Sequence, residues 1–186
     1  MLTGAMRPAT AISADGPLDL LNAVKTAAYR EACGKGVLVV MNDIIMAARY
    51  ATKTSAFKVE AFQAVPYGQL GTIAGGRVYF EAQVKQRHTL QSSFAGKNYT
   101  SLPRVDIIYT HCDDDGVFVE AALKAGAQGI VYAGSGMGSI HKGAEAALLK
   151  AVQRGAAVVR STRVSEGRVL AANPKWDEAG LSAAET

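Results

Sequence analysis

Residues 129–160 decide the fold, and they run GIVYAGSGMGSIHKGAEAALLKAVQRGAAVVR. The first part, 129–133, is apolar and rich in β-branched residues, which is typical of a strand buried on both faces of a parallel sheet. A glycine-rich turn over 134–138 comes next, followed by apolar residues at helical spacing over about 140–153. A second apolar strand occupies 156–160. Strand, helix and strand in this order predict a right-handed crossover between parallel strands.

The same alternation extends upstream of this segment. A strand is predicted over 105–109 and a helix near 117–125. Nearer the N-terminus, a helix is predicted over about 17–33, with Pro17 suited to its first turn. The apolar run 36–41 then predicts a strand that lies buried in a parallel sheet.

The sequence therefore predicts an α/β protein with two parallel-sheet lobes. The first is an incomplete flavodoxin-like lobe over residues 1–81, and a polar, irregular linker follows over 82–102. The second is a smaller α/β lobe over 103–186, and after Gly167 no further element is predicted.

Composition and charge exclude several classes of protein. The 186 residues are 49% apolar and 19% charged, which is typical of a globular protein. The net charge of +4 is mild, and no regular aromatic spacing accompanies the basic residues, so we expect no nucleic-acid partner. We expect solvated surface charge at two basic clusters: Lys85, Arg87, Lys97 and Arg104, and Arg154, Arg160, Arg163 and Arg168.

Membrane-spanning segments, a signal peptide and a cysteine-based metal site are not indicated by the sequence. No apolar run reaches the length that spans a membrane, so we expect no membrane partner. The residues that follow Met1 lack the basic and apolar regions of a signal peptide. Cys33 and Cys112 have no metal-ligand spacing, and two free thiols are favoured over a disulfide.

The glycine turn between a strand and a helix is the first candidate binding site. Such turns can place backbone amides and a helix N-terminus on a phosphate of a nucleotide. However, the third glycine of the G-x-G-x-x-G pattern falls on Ser139, and no acidic residue follows over 158–161. A tight turn between a strand and a helix is therefore favoured over a nucleotide site.

Carboxylates and imidazoles are weaker candidates. Three adjacent carboxylates, Asp113-Asp114-Asp115, cannot all face one ion, so we expect a solvated run that stabilises a helix N-terminus. The histidines His88, His111 and His141 have no metal-binding spacing, and no role is assigned to them.

Thr52-Lys53-Thr54 places a lysine between two hydroxyls. A lysine held at the carboxyl end of a parallel sheet can have its pKa lowered by burial and can act on a hydroxyl or a water. From spacing alone, a surface lysine is favoured, because lysine is rarely buried.

These motifs together resemble the type II L-asparaginases. The matching segments run from about residue 4 to 164 in the order and spacing of that family: 4–8, 13–17, 36–43, 51–54, 67–71, 102–105, 129–131 and 158–163. The resemblance implies hydrolysis of L-asparagine to L-aspartate and ammonia, often with some hydrolysis of L-glutamine. It implies no metal and no organic cofactor.

The resemblance also implies three site residues. Lys53 matches the lysine that is coupled to a threonine and an aspartate in the family's G-T-D-T motif. Ala5 matches the position whose backbone carbonyl faces the substrate amide, and Ser139 the position that reaches the neighbouring subunit's site. We expect Lys53 to turn inward, close to Ala5, at the edge of the sheet.

The sequence departs from the family pattern at several points. The motif of the threonine nucleophile, T-G-G-T-I-A-G, is absent, as is G-T-D-T, and so is the final L-N-P-x-K-A-R segment. Residues 71–75 imitate the nucleophile motif, but we interpret 69–80 as a hairpin and Thr72 as a hairpin residue. Met137 replaces an asparagine that is common in the glycine turn. We therefore expect a fragment that is inactive alone.

Partners and compartment follow from the resemblance as expectations. They are a small-molecule substrate, L-asparagine or L-glutamine, and a homo-oligomer, usually a tetramer. An intact type II enzyme is expected to be periplasmic or secreted, and cytoplasmic if no signal peptide lies upstream. The alternative is a non-catalytic remnant that binds amino acids or homologous subunits.

Overall fold

The computed structural model describes residues 1–171 and 173–184 and divides into two compact units, Met1–Asn98 and Tyr99–Thr186. The presence of helices and sheets in both confirms the α/β class. The domain boundaries at 81, 82–102 and 103 stay a prediction.

The first unit contains one α-helix and six strands: α1 Gly16–Ala28, β1 Leu38–Met41, β2 Ile44–Ala47, β3 Ala51–Lys53, β4 Phe62–Ala64, β5 Gly71–Ala74 and β6 Arg77–Phe80. Short 3-10 turns occupy Arg30–Ala32 and Thr89–Gln91. Strands β1, β2, β5 and β6 form a four-stranded sheet in the order β1-β2-β5-β6, and β3 pairs with β4 in a separate ribbon.

The parallel sheet predicted for this first lobe is wrong for its main strand pairs. β1 and β2 pair antiparallel, as do β2 with β5 and β5 with β6. Asn42 and Asp43 adopt φ values of 50° and 60° and form a two-residue turn, so the chain reverses directly after β1. An isolated bridge between Leu2 and Val39 supplies a parallel pairing.

The core of the first unit lies between α1 and the four-stranded sheet. Leu38, Val40 and Ile45 are at most 1% exposed, and Ala23 of α1 packs in the same cluster. Other apolar side chains of α1 are about half exposed: Leu18, Leu20, Leu21 and Val24. The predicted helix is thus confirmed over most of its length, ending at Ala28.

The second unit contains the predicted parallel sheet. Its elements are β7 Val105–Tyr109, α2 Val117–Lys124, β8 Gly129–Gly134, α3 Lys142–Gln153, β9 Ala157–Thr162, α4 Pro174–Glu178 and β10 Leu181–Ala183. The order is β10-β9-β8-β7, and every neighbouring pair is parallel.

The core of this unit consists of one face of the sheet and the two longer helices. Ile130 and Tyr132 of β8 pack with Val119 of α2 and Leu148 of α3, each at most 1% exposed. The prediction that no element follows Gly167 is wrong, because β10 adds to the sheet through Leu181, which pairs with β9 and is fully buried. None of the helices formed by the described residues has the length and apolarity needed to cross a bilayer.

Candidate functional site

Ala5 lies in a loop that follows a short parallel pairing with β1. The Leu2 N–H donates to the Leu38 carbonyl at 2.8 Å, and the Val40 N–H donates to the Leu2 carbonyl at 3.0 Å. Thr3 Oγ1 also donates to the Val40 carbonyl, at 2.8 Å. Ala5 is exposed and comes at the carboxyl end of this pairing, the edge at which parallel sheets place ligand-binding loops.

Asp15 fixes the conformation of this loop. Its carboxylate accepts the Met6 N–H at 2.7 Å and the Arg7 N–H at 2.9 Å. The hydrogen bond from Met6 holds the pKa of Asp15 below its ordinary value, because that bond favours the charged carboxylate. A Cβ on Gly16 would come within 3.3 Å of the Ala5 Cβ, so the loop also packs closely against the start of α1.

A second set of polar side chains joins α1 to the turn after β1. Asp19 Oδ1 accepts the Asn42 N–H at 2.7 Å, and Asn22 Nδ2 donates to Asp43 Oδ1 at 2.7 Å. Asp19 is only 2% exposed, and its Oδ2 has no hydrogen-bond partner among the described residues. Burial raises the pKa of Asp19 above its ordinary value. This carboxylate anchors the helix, but with one oxygen unpaired.

Lys53 is the last residue of β3, in the ribbon that is separate from the four-stranded sheet. Its side chain is exposed, and Nζ lies 5.8 Å from the ring centroid of Phe62 on the neighbouring strand. The expectation that Lys53 turns inward is therefore not met in this structure. No hydrogen bond or ion pair joins its ammonium to Ala5, a carboxylate or a hydroxyl within residues 1–171 and 173–184.

Thr72 lies in the hairpin predicted over 69–80, which is confirmed. It belongs to β5 and pairs with Tyr79 of β6, and the chain turns at Gly75-Gly76. Thr72 Oγ1 donates to Glu81 Oε1 at 3.4 Å.

The glycine turn that carries Ser139 is closed on itself. The N–H groups of Gly138 and Ser139 both donate to the Ser135 carbonyl, at 3.1 and 2.9 Å. A Cβ on Gly134 would lie 2.3 Å from the Ser139 carbonyl oxygen, so only glycine fits there. The side chains of Ser139 and Met137 are exposed. The prediction of a tight turn between a strand and a helix is confirmed.

The start of α3 is also occupied by the protein's own groups. His141 precedes the helix, and its Nδ1 lies 2.7 Å from the Asp114 carbonyl and 3.2 Å from the Gly143 nitrogen, while the His141 carbonyl accepts the Ala144 N–H at 3.0 Å. Because amides of the turn and of the helix start already have acceptors, this geometry disfavours a phosphate at the glycine turn. The predicted helix over about 140–153 included His141, whereas α3 begins at Lys142, so this cap was not predicted from the sequence.

Asp114 is buried, which corrects the expectation of a solvated acidic run. Its Oδ2 accepts the Tyr132 hydroxyl at 2.8 Å and its Oδ1 accepts the Gly116 N–H at 3.0 Å. Tyr132 is fully buried and also lies 2.9 Å from Thr110 Oγ1. Burial raises the pKa of Tyr132. Asp115, in contrast, is exposed and accepts the Val117 N–H at the start of α2, as predicted.

Arg160 is likewise buried and not solvated. It is 2% exposed, and one guanidinium nitrogen lies 2.6 Å from Asp177 Oδ1. Its Nε donates to the Leu181 carbonyl at 3.0 Å, and its guanidinium carbon lies 5.2 Å from the Trp176 ring centroid. No sequence signal indicated this pairing, since Asp177 belongs to the tail in which no element was predicted.

Neither a metal site nor a shared unit for the three predicted site residues is found among the described residues. Among the described residues no group of three or more His, Cys, Asp or Glu side chains could hold a metal ion. Ala5 and Lys53 lie in the first unit and Ser139 in the second.

Two family models match the chain. The model described as asparaginase, N-terminal, matches residues 1–86, and the model of the glutaminase/asparaginase C-terminal domain matches residues 104–186. The chain belongs to the asparaginase/glutaminase family.

Individual relatives agree with this assignment. The chain is 47% identical over 186 residues to "L-asparaginase 2" of Bacillus subtilis, covering 100% of this chain and 49% of the relative. It is 40% identical over 173 residues to a "Glutaminase-asparaginase" of Pseudomonas fluorescens, covering 93% of this chain and 48% of the relative.

A solved structure shows the same fold. A probable cytoplasmic L-asparaginase from Campylobacter jejuni superimposes with a TM-score of 0.89 at 44% identity, covering 94% of this chain and 57% of the other. The chain thus spans about half the length of the curated relatives it matches.

Proposed function

We propose that residues 1–186 are part of an amidohydrolase that converts L-asparagine, and L-glutamine to some degree, to the corresponding acid and ammonia. The observation that carries this proposal is the joint match of the two asparaginase family models, which together span most of the chain in the family's order. The two relatives described above bear the names L-asparaginase and glutaminase-asparaginase, which supports the same pair of substrates.

The proposed chemistry uses a threonine from outside residues 1–186. Neither T-G-G-T-I-A-G nor G-T-D-T occurs within these residues, and Thr72, the threonine of the imitating segment, is engaged in a hairpin. A threonine hydroxyl would attack the side-chain carbonyl, ammonia would leave, and water would then release the acid from the acyl intermediate. Residues 1–186 alone are therefore proposed to be inactive.

Lys53 is proposed to assist the nucleophilic attack through its ammonium, which would donate hydrogen bonds to a threonine hydroxyl and to a carboxylate. An ammonium next to a hydroxyl stabilises the developing alkoxide and so favours attack at neutral pH. The exposed position of Lys53, with only the Phe62 ring close to its ammonium, leaves its three donors free for such partners. The proposed role of Lys53 is supported by the exposure of its side chain and by its match to the family's lysine position. It does not rest on a hydrogen bond of Lys53 within the described residues.

Ala5 and Ser139 are proposed to contact substrate. The loop of Ala5 is fixed from both sides, by Asp15 and by the start of α1, so its carbonyl can orient an amide N–H₂ group. Ser139 is exposed beside a rigid turn, and its hydroxyl is proposed to reach the site of a neighbouring subunit. The assembly is accordingly proposed to be a homo-oligomer. Its compartment stays a prediction.

The proposal is tested by ammonia release from L-asparagine and L-glutamine. We expect turnover of both amides by a protein that extends these residues to the length of the relatives, and none by residues 1–186 alone. D-Glucosamine 6-phosphate, whose amine is not an amide, serves as the control substrate and should release nothing. Extended protein that binds L-aspartate but hydrolyses neither amide would support the non-catalytic alternative instead.

A further inference from the structure

A cavity of about 560 Å³ opens in the first unit, and neither Ala5 nor Lys53 is among its lining residues. Three segments line it: the turn before β1, the turn after β2 and an irregular segment over residues 84–92. The first two are joined by the Ala48 N–H, which donates to the Val37 carbonyl at 2.9 Å. The third is tied to the turn after β2 by the Tyr50 hydroxyl, which donates to Gln86 Oε1. The cavity walls are therefore fixed by hydrogen bonds.

The described lining of this cavity is basic and has no acidic residue. Lys35, Arg49, Arg87 and His88 all contribute to it, together with the hydroxyl-bearing Thr89. These groups come from positions that are far apart in sequence, 35, 49 and 87–89, and the fold brings them around one opening. Positive charges around one cavity repel each other, and a bound anion would reduce this electrostatic repulsion.

The packing at the back of the cavity requires glycine. Gly36 has φ +81°, and a Cβ there would come within 3.2 Å of His88 Nδ1. The imidazole therefore lies directly against the Gly36 backbone, and its Nδ1 is 3.0 Å from Thr89 Oγ1. Lys35, another lining residue, has its Nζ 4.6 Å from the Phe80 ring centroid, a cation–π contact that stabilises the position of its ammonium.

Two of the cations have no internal partner. The described residues offer no hydrogen bond or ion pair to the guanidinium groups of Arg49 and Arg87. By contrast, Arg160 and Arg104 in the second unit each pair with an aspartate. Arg49 and Arg87 both line a cavity that has no carboxylate in its described lining. A guanidinium group is suited to an oxyanion, which can accept two parallel N–H bonds from it.

We propose that this cavity binds a phosphate group, either as inorganic phosphate or as part of a small phosphomonoester. A dianion matches three cations better than a monocarboxylate does. An amino acid is a poor match, because its ammonium would find no carboxylate among the described lining residues. The site is therefore not a second substrate site, and it does not depend on the amidohydrolase proposal.

Isothermal titration of residues 1–186 with inorganic phosphate at low ionic strength tests the site. We expect saturable binding that is weakened about tenfold by Arg87→Gln and about tenfold by Arg49→Gln, since each removes charge-assisted hydrogen bonds. The charge-conserving Arg87→Lys should weaken binding less than Arg87→Gln does, because it keeps the cation but loses the paired N–H bonds. Lys58→Gln, which removes an exposed cation outside the cavity, should leave binding unchanged.

Titration with AMP identifies the ligand class, and circular dichroism of the variants tests for misfolding. Tighter binding of AMP than of phosphate would assign the site to a phosphomonoester, and equal or weaker binding would assign it to inorganic phosphate. Circular dichroism of each variant should match that of the unmodified chain, and Arg87→Lys reports on the site even if Arg87→Gln misfolds. Absence of phosphate and AMP binding, equal weakening by Lys58→Gln, or equal competition by L-aspartate would overturn the proposal.

Discussion

The two units use buried polar side chains in different ways. In the second unit, Asp114, Tyr132 and Arg160 are nearly inaccessible, and each has its hydrogen-bonding groups matched by neighbours. In the first unit, Asp19 is as deeply buried but leaves one oxygen unpaired, and Lys53 is exposed. The difference is that these three groups of the second unit have hydrogen-bond partners, whereas the Asp19 carboxylate is buried with one oxygen that has no partner among the described residues. We therefore expect the three groups to stabilise the folded state and the Asp19 charge to destabilise it.

Arg160→Met should cause the largest loss of stability. It removes the partner of Asp177 from a buried ion pair and leaves the Leu181 carbonyl without its donor. We expect the unfolding free energy to fall by about 3 kcal/mol. Urea unfolding followed by fluorescence of Trp176, the single tryptophan, reports on this unit.

Lys150→Met is the matched control for that variant. Lys150 pairs with Glu120 at 3.5 Å, but the two side chains are 49% and 59% exposed. Such a pair contributes less than about 1 kcal/mol. Equal losses in the two variants would show that burial of Arg160 adds no stability and would break the comparison between the units.

Tyr132→Phe should cause a smaller loss in the same unit. The hydroxyl that it removes lies within hydrogen-bonding distance of both Asp114 and Thr110, and the carboxylate would lose a buried donor. We expect about 2 kcal/mol of destabilisation in the same urea experiment. Tyr109→Phe, at a side chain that is 63% exposed, should change stability by less than about 0.5 kcal/mol. A Tyr132→Phe chain as stable as the original would mean that the network contributes nothing.

Asp19→Asn should stabilise the first unit at neutral pH. Because burial raises the pKa of Asp19, the folded state binds more protons than the unfolded state between the ordinary value of 3.8 and the raised value. The unfolding free energy therefore falls as pH rises through that window, and the loss persists at pH 7. An amide avoids the loss and still offers an oxygen to the Asn42 N–H.

The size and pH dependence of this gain are both measurable. We expect about 1 kcal/mol at pH 7, and a smaller gain as the pH falls through the window toward the ordinary pKa of 3.8. Hydrogen exchange of the core amides of Val40 and Ile45 reports on the first unit. Glu60→Gln, at an exposed carboxylate, should show no such pH dependence. A gain that stays the same as the pH falls would assign the effect to something other than the charge of Asp19.

The sequence predicted those features that depend on local pattern. The β-branched runs of the second unit gave the parallel sheet, and Gly75-Gly76 located the hairpin. Features that depend on distant partners could not be predicted. Asp114 is buried because Tyr132, 18 residues later, donates to it.

The first unit shows the same limit in its backbone. The run over 36–41 has the pattern of a parallel strand, yet it pairs antiparallel with β2 because Asn42-Asp43 forms a tight turn. Lys53 was expected inside because the family pattern implies partners for it, but exposure is set by which residues surround it in space. Lys53 was predicted at the carboxyl end of a parallel sheet, but it ends β3, which pairs antiparallel with β4.

The most direct test of the account is Lys53→Met in a protein that extends these residues to the length of the relatives. Because Lys53 is exposed, the melting temperature should change by no more than about one degree. The unfolding free energy should stay within about 0.5 kcal/mol of the original. Ammonia release from L-asparagine should nevertheless fall by about 10²–10⁴-fold, while Lys58→Met keeps full turnover. Undiminished turnover in the Lys53→Met protein would contradict the proposed role of this lysine.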